Sequence, residues 1–600
     1  MGTRLFVIRL HLLGLMRHDV GMYLRKTQRR NGDGSVVRYL QLANNRRING
    51  TTQAEVLVNL GREDKLDLAA LRRLVASINR YLGDEDDVTL PLGAETGPLT
   101  VEQARPFGAI WLLDQLWRAL EVDKALAKVL GPRRFRTDIE RIIFALVANR
   151  AVAPSSKLAA AEWITHTVAI PGLDHADKDQ AMRAMDLLAG ADTQGQVQQA
   201  VFFAAANLLN LEVDLILFDS TSTYFERDGE PEPDTDDEPG LRRFGHSKDH
   251  RRDLPQIVIG LAVTREGIPV RCWVWPGNTN DMTVVEQVKD DLRDWRLGRV
   301  LTVVDSGFSS RENMAYLQRA GGHYICGVKM RDGSAQAREA MSRQGRYLQV
   351  RDNLRVKEVK LAADPGRRWI ICHNPIEAER DQGRRQAQLE AITAELDRIA
   401  AARTADAAKA RAKAAQQGKK KTPRPSDAPH RKAECALREH PSLGRWLKQH
   451  PTTGRLSIDA AKVKAETNYD GKYLIATSDP DLSPEDIALG YKNLLQAEAA
   501  FRTMKTTLDL RPIYHRLDER IVAHVLSCWL ALLLIRVAER RTGQTWPSIN
   551  RELGRVHQVT LTGPAGRLQQ TTKLTPSQAQ LFKDCAVALP PKMSGLQPAE

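Results

Sequence analysis

The segment Val213-Asp214-Leu215-Ile216-Leu217-Phe218-Asp219-Ser220 is a short apolar run that ends in an acidic residue. The run Val300-Leu301-Thr302-Val303-Val304 has the same character and leads into Asp305-Ser306-Gly307. Between them, two further apolar runs flank Arg265-Glu266-Gly267, as in a β-hairpin, and helical stretches follow the strands. Short apolar strands that alternate with helices predict an α/β sheet at the centre of the fold.

A carboxylate at the end of a strand lies where the buried sheet meets solvent. When two such strand ends are neighbours, their carboxylates can share a hard cation, because the metal relieves the repulsion between them. A single strand-end Asp is weak evidence for a site, since many such residues cap the next helix. The pair Asp219 and Asp305, each followed by Ser, favours a metal site.

A third element begins at Ser483-Pro484-Glu485-Asp486, which is typical of a helix N-terminus with Pro at its first position. Tyr491, Glu498 and Lys505 follow at intervals of 498−491=7 and 505−498=7 residues. Seven residues are close to two turns, so the spacing predicts that the three side chains share one stripe of a single helix. Arg502, four residues after Glu498, leans toward the same side.

The sequence allows two interpretations of Glu498. Glu498 and Arg502 could form an ordinary surface ion pair. However, Leu494, Leu495 and Phe501 surround Glu498 in the sequence, which predicts that this part of the helix packs against the body of the protein. Because a carboxylate among apolar neighbours requires a cation, a metal site is the favoured interpretation.

Taken in order, these residues resemble those of the DDE transposases of bacterial insertion sequences, which have an RNase H-like catalytic core. The resemblance is to the branch with an inserted domain between the second Asp and the Glu, and with a Tyr-Arg-Glu-Lys signature on the last helix. Tyr491, Glu498 and Lys505 occupy signature positions, whereas Leu494 stands where the family has Arg.

Three other segments carry the same resemblance, which extends over residues 218 to about 534. They are Gly245-His246-Ser247-Lys248-Asp249 with the nearby Arg252, Gly277-Asn278-Thr279-Asn280-Asp281, and Arg511-Pro512-Ile513-Tyr514-His515.

The resemblance implies that Asp219, Asp305 and Glu498 are the catalytic residues, and that they hold two Mg²⁺ ions, for which Mn²⁺ can substitute. Water or a DNA 3′-hydroxyl would attack phosphorus in line, without a covalent bond between protein and DNA. The implied partners are double-stranded DNA, as terminal inverted repeats and as target, and a second copy of the chain in a homodimer. The implied DNA-binding residues are Tyr491, Lys505, Arg502, Lys492, Lys248 and Arg252. Lys492 and Arg502 are the two alternatives for the phosphate contact of the family Arg.

The charge balance agrees with a DNA partner. Lys and Arg number 88 and Asp and Glu number 74, which leaves a surplus of 14 positive charges. Such a surplus attracts phosphate-rich partners, although a basic surface without a partner is the alternative. A hydrophobic share of 42% and a charged share of 27% exclude a disordered chain.

Cysteine usage and hydropathy predict a cytoplasmic protein that associates with the bacterial nucleoid when it binds DNA. The six cysteines include no Cys-x-x-Cys pair, which indicates reduced thiols rather than disulfides or zinc knuckles. The longest apolar run, residues 525–535, is too short to cross a bilayer, so it predicts a buried core helix and no membrane partner.

The predicted fold is an RNase H-like α/β core with an inserted domain, a helical N-terminal region and a small N-terminal β-meander. The predicted parts are a basic β-meander (1–92), a helical region that is a candidate for DNA binding (93–209), the first part of the core (210–335), an insertion domain with a helical basic segment (336–470), the second part of the core with the Glu-bearing helix (471–545) and a C-terminal region (546–600). Two alternatives to an active transposase remain: a transposase-derived DNA-binding protein without activity, and an RNase H-like nuclease.

Overall fold

A computed structural model of the chain describes residues 22–30, 36–48, 51–65, 99–131, 138–192, 195–226, 240–295, 297, 299–331, 334–418, 426–564 and 566–598. The chain divides into two compact units, Met1–Thr96 and Gly97–Glu600. The boundary lies close to the predicted boundary at 92/93, and the finer division into six parts stays a prediction.

The first unit contains an antiparallel sheet whose strands pair in chain order: β1 (Met22–Arg30), β2 (Val36–Ile48) and β3 (Thr51–Arg62). Arg25, Arg29 and Arg30 on β1 are exposed.

The second unit begins with the strand β4 (Thr100–Pro106) and continues as helices. The helices among its described residues are α1 (Gly108–Ala119), α2 (Val122–Leu130), α3 (Ile139–Val152), α4 (Lys157–Glu162), α5 (Lys178–Ala191) and α6 (Gln196–Leu209). Buried apolar residues of these helices join the same hydrophobic core as the central sheet.

The central sheet begins with five strands and two helices. They are β5 (Leu215–Tyr224), β6 (Gln256–Thr264), β7 (Pro269–Pro276), α7 (Val285–Arg293), β8 (Leu301–Val304), α8 (Arg311–Gln318) and β9 (His323–Val328). Their order is β9-β8-β5-β6-β7, in which β5, β6 and β7 are antiparallel while β8 and β9 run parallel to β5. An antiparallel meander with two parallel strands beside its first strand is the RNase H-like α/β arrangement that the resemblance implies.

The same sheet continues into the segment that the sequence assigns to an insertion. After α9 (Ala335–Ser342), the chain forms β10 (Leu348–Arg351), β11 (Leu354–Lys360) and β12 (Arg368–His373), and β12 pairs with β15 (Lys472–Thr477), which itself pairs with β9. Strands β10 to β12, which the sequence assigns to the insertion domain (336–470), therefore belong to the central sheet. These strands are stabilised by pairing with residues far away in the chain, which a local pattern does not show.

A mainly helical segment lies between β12 and β15. It consists of α10 (Pro375–Gln416), α11 (Ala428–Glu439), β13 (Leu447–Gln449), β14 (Leu456–Ile458) and α12 (Ala460–Thr467). Ile392 and Ile399 on α10 are buried, and Ile392 packs with Leu437 and Trp446. The lysine run at 419–421 lies outside the described residues.

The last part of the chain closes the second unit. It contains α13 (Pro484–Lys492), α14 (Leu495–Thr506), α15 (Asp518–Thr542), α16 (Trp546–Leu553), β16 (His557–Gly563), β17 (Gly566–Thr571), α17 (Pro576–Asp584) and β18 (Met593–Pro598). Strands β16, β17 and β18 form a four-stranded sheet with β4 from the start of the unit.

Among the described residues, α15 is long and apolar enough to cross a membrane, and the bent pair Ile139–Val152 and Lys157–Thr167 passes the same test of length and composition. In α15, 89% of the apolar window is buried inside the protein, as in the core helix that the sequence predicts. It packs against α3 and α5.

The two faces of the sheet belong to different cores. Leu215 and Leu217 on β5 point into the core that contains the apolar residues of α14, whereas Ile216 and Phe218 point into the opposite core, beside α7 and α8. In that opposite core, Trp273 and Trp275 stack at 6.1 Å, and their indole N–H groups donate to Asp291 and Gln287 on α7. These tryptophans pack under the sheet.

Candidate functional site

Asp219 and Asp305 lie side by side on neighbouring parallel strands. The pairing of β5 with β8 ends at Phe218 and Val304, and the next residue on each strand is the aspartate. Asp219 is nevertheless inside β5 and not at its end as predicted, because β5 continues to pair with β6 up to Tyr224. The end of the parallel pairing, rather than the end of the strand, brings the two carboxylates together.

Both aspartates face the side of the sheet that α13 and α14 cover. Successive side chains of a strand alternate between faces, so Asp219 follows Leu217 and Asp305 follows Val303 onto that side. The hydroxyl of Tyr491, at the end of α13, donates a hydrogen bond of 2.8 Å to Oδ1 of Asp305. Tyr491 therefore lies beside Asp305, while its predicted contact with DNA stays a prediction.

The carboxyl group of Asp219 is in an unfavourable environment for its charge. Burial raises its pKa to about 6, and the nearby carboxylates of Asp305 and Asp281 add to the shift. The Lys248 ammonium and the backbone N–H of Ser220 oppose it. A divalent cation between Asp219 and Asp305 would remove the repulsion that remains.

Lys248 is engaged inside this site. Its Nζ donates to the carbonyl oxygen of Ser220 at 2.8 Å and to Oγ of Ser220 at 2.7 Å, and it lies 3.0 Å from the Asp281 carboxylate. Ser220 in turn donates its hydroxyl hydrogen to Asp281. Lys248 therefore ties the strand next to Asp219 to the loop after β7, while its predicted contact with DNA stays a prediction.

Two glycines allow the segments that carry Lys248 and Asp281 to cross. A Cβ on Gly245 would lie 1.9 Å from the carbonyl oxygen of Gly277, and a Cβ on Gly277 would lie 2.1 Å from the carbonyl oxygen of Gln256. The side-chain amide of Gln256 donates to the Gly277 carbonyl at 2.8 Å. Only glycine permits this contact between backbones, which explains its place in both sequence segments.

Tyr491 and Glu498 do not lie on one continuous helix, which corrects the predicted single stripe. The chain breaks between α13 and α14, where the N–H of Leu494 bonds to the carbonyl of Tyr491 at 3.0 Å in a tighter turn. Leu494 is 7% exposed and packs into the core, whereas Leu495 is 56% exposed. This part of the chain packs against the body of the protein as predicted, because Phe501 is buried as well, but the Glu498 side chain itself is exposed.

Glu498 and Lys505 still share one flank of α14, because seven residues bring a helix back to nearly the same direction. Nζ of Lys505 donates to Asp249 at 2.9 Å, and the Arg511 guanidinium lies 2.8 Å from the same oxygen. Burial lowers the pKa of Lys505, and Asp249 opposes this shift. The flank that carries Glu498 therefore faces the loop that carries Lys248 and Asp249.

The structure does not gather the three predicted carboxylates into one cluster. Within the described ranges, no group of three or more His, Cys, Asp or Glu side chains is arranged to hold a metal ion. Asp219 and Asp305 are neighbours, and Glu498 stands apart on the adjacent helix.

The remaining predicted DNA-binding residues occupy different surroundings. Arg502 on α14 and Arg252 in the loop before β6 are exposed. Lys492 is half-buried beside β12, where burial raises the pKa of the Cys372 thiol to about 12 and the Lys492 ammonium opposes that shift.

Sequence reasoning missed the roles of Asp281, Asp249 and Arg511. Each lies in one of the three segments that carry the family resemblance, which was the available signal. Their partners come from distant parts of the chain, so the spacing of residues gave no indication of the contacts.

Two family models match this chain. Residues 214–534, more than half of the chain, match the family model described as the transposase DDE domain. Residues 24–88 match the model of the N-terminal domain of the IS1634 family transposase. A cryo-EM structure of a piggyBac transposase synaptic complex with hairpin DNA is similar at a TM-score of 0.33 and 8% identity, over 77% of this chain and 82% of that chain. Comparison with curated proteins gives no match.

Proposed function

Because this chain belongs to the DDE transposase family, we propose that Asp219, Asp305 and Glu498 carry its catalytic chemistry. The chain is a DDE transposase, an enzyme of DNA transposition of the kind that insertion sequences encode. Nothing favours the alternatives of an inactive DNA-binding relative or an RNase H-like nuclease. The observation that carries the proposal is the position of Asp219 and Asp305, directly after the last residues through which the parallel strands β5 and β8 pair with each other.

DDE transposase domains depend on divalent metal ions, generally Mg²⁺, and the acidic pair fits such an ion. Burial and neighbouring carboxylates disfavour the negative charge of Asp219. We assign two Mg²⁺ ions, replaceable by Mn²⁺, to Asp219, Asp305 and Glu498, with Glu498 contributed from the flank of α14. When bound, the metal activates water or a 3′-hydroxyl and stabilises the leaving oxygen.

The chain's own residues orient this site. Tyr491 fixes the Asp305 carboxylate through its hydrogen bond, and Lys248 fixes the backbone next to Asp219. Tyr491 is not required as a nucleophile. Its hydroxyl hydrogen is engaged with Asp305, and burial together with the Asp305 charge raises its pKa.

The proposed partner is double-stranded DNA, bound as the terminal inverted repeats of the element and as target, by a homodimer that associates with the nucleoid. Phosphate contacts would fix the position of DNA without reading its sequence. Arg502 and Arg252 are exposed for such contacts, and the remaining proposed DNA-binding residues are Tyr491, Lys505, Lys492 and Lys248.

The test uses three single variants, Asp219→Asn, Asp305→Asn and Glu498→Gln, in strand cleavage and joining assays with the ends of the element and Mg²⁺. Each variant should lose chemistry and keep DNA binding, because the substitution removes a metal ligand without changing the shape of the side chain. The same loss should follow when Ca²⁺ replaces Mg²⁺.

Glu312→Gln, an exposed substitution on α8, is the matched control and should cleave like the wild type. If any of the three variants cuts DNA at the wild-type rate, the residue concerned is not a catalytic ligand.

A further inference from the structure

A cavity of about 310 Å³ has Arg511, the partner of Asp249, in its wall. It is lined by α3, α4, α5, α15 and the segment that joins α14 to α15. Four charged residues and two histidines are part of its lining: Arg150, Lys157, Asp509, Arg511, His515 and His524.

The positive side chains inside this cavity lack sufficient partners. Lys157 is 4% exposed, and within the described part of the chain its Nζ has no hydrogen bond. Arg150 is 3% exposed and donates only long bonds, of 3.4 and 3.3 Å, to the carbonyls of Leu508 and Asp509, while its Nε has no partner there. Burying an ammonium and a guanidinium together without an anion is unfavourable, so the arrangement is suited to a ligand that supplies negative charge.

Nearby protein groups supply little of that negative charge. Asp509 lines the cavity but is an exposed residue. His524 is 5% exposed; its Nε2 donates to the Leu510 carbonyl at 3.1 Å. Burial lowers the pKa of His524, and the nearby charges of Lys157 and Arg150 lower it further.

We propose that this cavity binds a phosphate group, and that the phosphate belongs to the backbone of DNA held beside the catalytic site. Arg511 forms part of the cavity wall and also pairs with Asp249, which Lys505 contacts from the flank of α14 that bears Glu498. Tyr514, 67% exposed, lines the same cavity and leaves its ring accessible to DNA. The assignment to DNA rests on the proposed function, whereas the phosphate chemistry rests on the cavity itself.

Anion binding at this site should be linked to protonation of Lys157. Burial and the Arg150 charge lower the pKa of Lys157 to about 7. A bound anion favours the ammonium, so affinity should weaken as the pH rises above 7, approaching tenfold per pH unit. The other titratable or charged groups that line the cavity or interact with Lys157 are Asp509, Arg511, Tyr514, His515, His524 and Cys528.

The first experiment measures binding of inorganic phosphate to the full chain by calorimetry, with sulfate as a second probe whose charge does not change near neutral pH. The wild type should bind both anions, and sulfate should bind more weakly at pH about 8 than at pH about 6. Lys157→Met should bind neither. Its melting temperature should not fall, because the variant replaces a buried charge with an apolar chain of similar length. Absence of anion binding by the wild type would overturn the proposal.

The second experiment identifies the source of the phosphate. Single neutral methylphosphonate groups are placed along a terminal-repeat duplex, and binding to the Asp219→Asn protein is measured in Ca²⁺, so that the result does not depend on cleavage. A methylphosphonate at one position of the duplex should weaken DNA binding by the Asp219→Asn protein. The same methylphosphonate should have no effect on the Asp219→Asn protein that also carries Lys157→Met. Lys157→Met should also reduce the slope of log affinity against log salt by about one.

Arg516→Gln removes an exposed charge near the cavity and is the matched control. DNA binding by this variant should remain sensitive to the methylphosphonate at that position. If free phosphate binds but no position in the DNA depends on Lys157, the DNA assignment is wrong. If the sensitive position is found while the three carboxylate variants still cleave, the catalytic assignment fails and the cavity assignment stands.

Discussion

Tyr491 determines the position of one catalytic carboxylate in the proposed site, through a hydrogen bond of 2.8 Å to Asp305. Removal of a group that orients a metal ligand typically lowers the affinity for the metal by about 10- to 100-fold. Tyr491→Phe should therefore raise the Mg²⁺ concentration needed for half-maximal cleavage by about 10-fold. The rate at saturating Mg²⁺ should recover, because all three ligands remain.

Tyr473→Phe is the matched control for this change. The Tyr473 ring stacks on Tyr491 at 6.0 Å, and its hydroxyl interacts with Cys372 rather than with the acidic site. It should leave the Mg²⁺ dependence unchanged. A Tyr491→Phe protein with the metal dependence of the wild type, or one whose lost activity saturating metal does not restore, would contradict the positioning role.

At the scale of residues, the sequence favoured a metal site at Asp219 and Asp305, and the pairing of β5 with β8 is what places the two residues side by side. An apolar run followed by an acidic residue is a local pattern, and adjacent parallel strands bring two such patterns together. The surroundings of Glu498 could not be predicted in the same way. Whether a helical carboxylate is buried depends on which flank of the helix meets the sheet, and the break before α14 changed that direction.

Element boundaries show the same division between local and long-range information. Strands β6 and β7 were predicted because the hairpin turn and the apolar runs are contiguous in the chain. Strands β10 to β12 were not predicted as part of the sheet, because their place depends on the pairing of β12 with β15. Gly490 in the last turn of α13 was a local signal for the break between α13 and α14, but it did not indicate the direction in which α14 continues.

Leu494 permits a test of that break. The family carries Arg at this position, but Leu494 is 7% exposed and packs into the core beside α14. Leu494→Arg should therefore lower the free energy of unfolding by about 3 kcal/mol, since it forces a charge into an apolar site. Denaturant titration followed by tryptophan fluorescence measures the change.

Leu495→Arg introduces the same side chain at the adjacent position, which is 56% exposed. It should change the free energy of unfolding by less than about 0.5 kcal/mol. If Leu494→Arg were as stable as Leu495→Arg and bound DNA more tightly, the Arg position of the family would be accessible to DNA and the packing described for Leu494 would be wrong.

At the scale of the whole molecule, the start and end of the second unit hold each other in place. Strand β4 pairs with β16, so that Pro106 lies opposite His557. The N–H groups of Phe107 and Gly108 then donate to the Val556 carbonyl at 2.8 and 3.1 Å. Because these contacts join residues more than four hundred positions apart, local sequence patterns do not predict them.

The contact of Gly108 with the chain after α16 should affect the stability of the entire second unit, including the proposed catalytic site, which is far from Gly108 in sequence. A Cβ at Gly108 would lie 2.6 Å from the Leu553 carbonyl oxygen, whereas a Cβ on the helical Gly190 would meet nothing within 4 Å. Gly108→Ala should therefore destabilise the unit by about 2 kcal/mol, and Gly190→Ala should stabilise it by up to about 1 kcal/mol. Both variants are followed by calorimetry and by the temperature at which DNA cleavage is lost. In Gly108→Ala the melting temperature and the temperature of activity loss should fall together, because one core joins the α-helical region to the sheet. If cleavage persisted after the paired strands β4 and β16 had unfolded, the catalytic core would be stable without them.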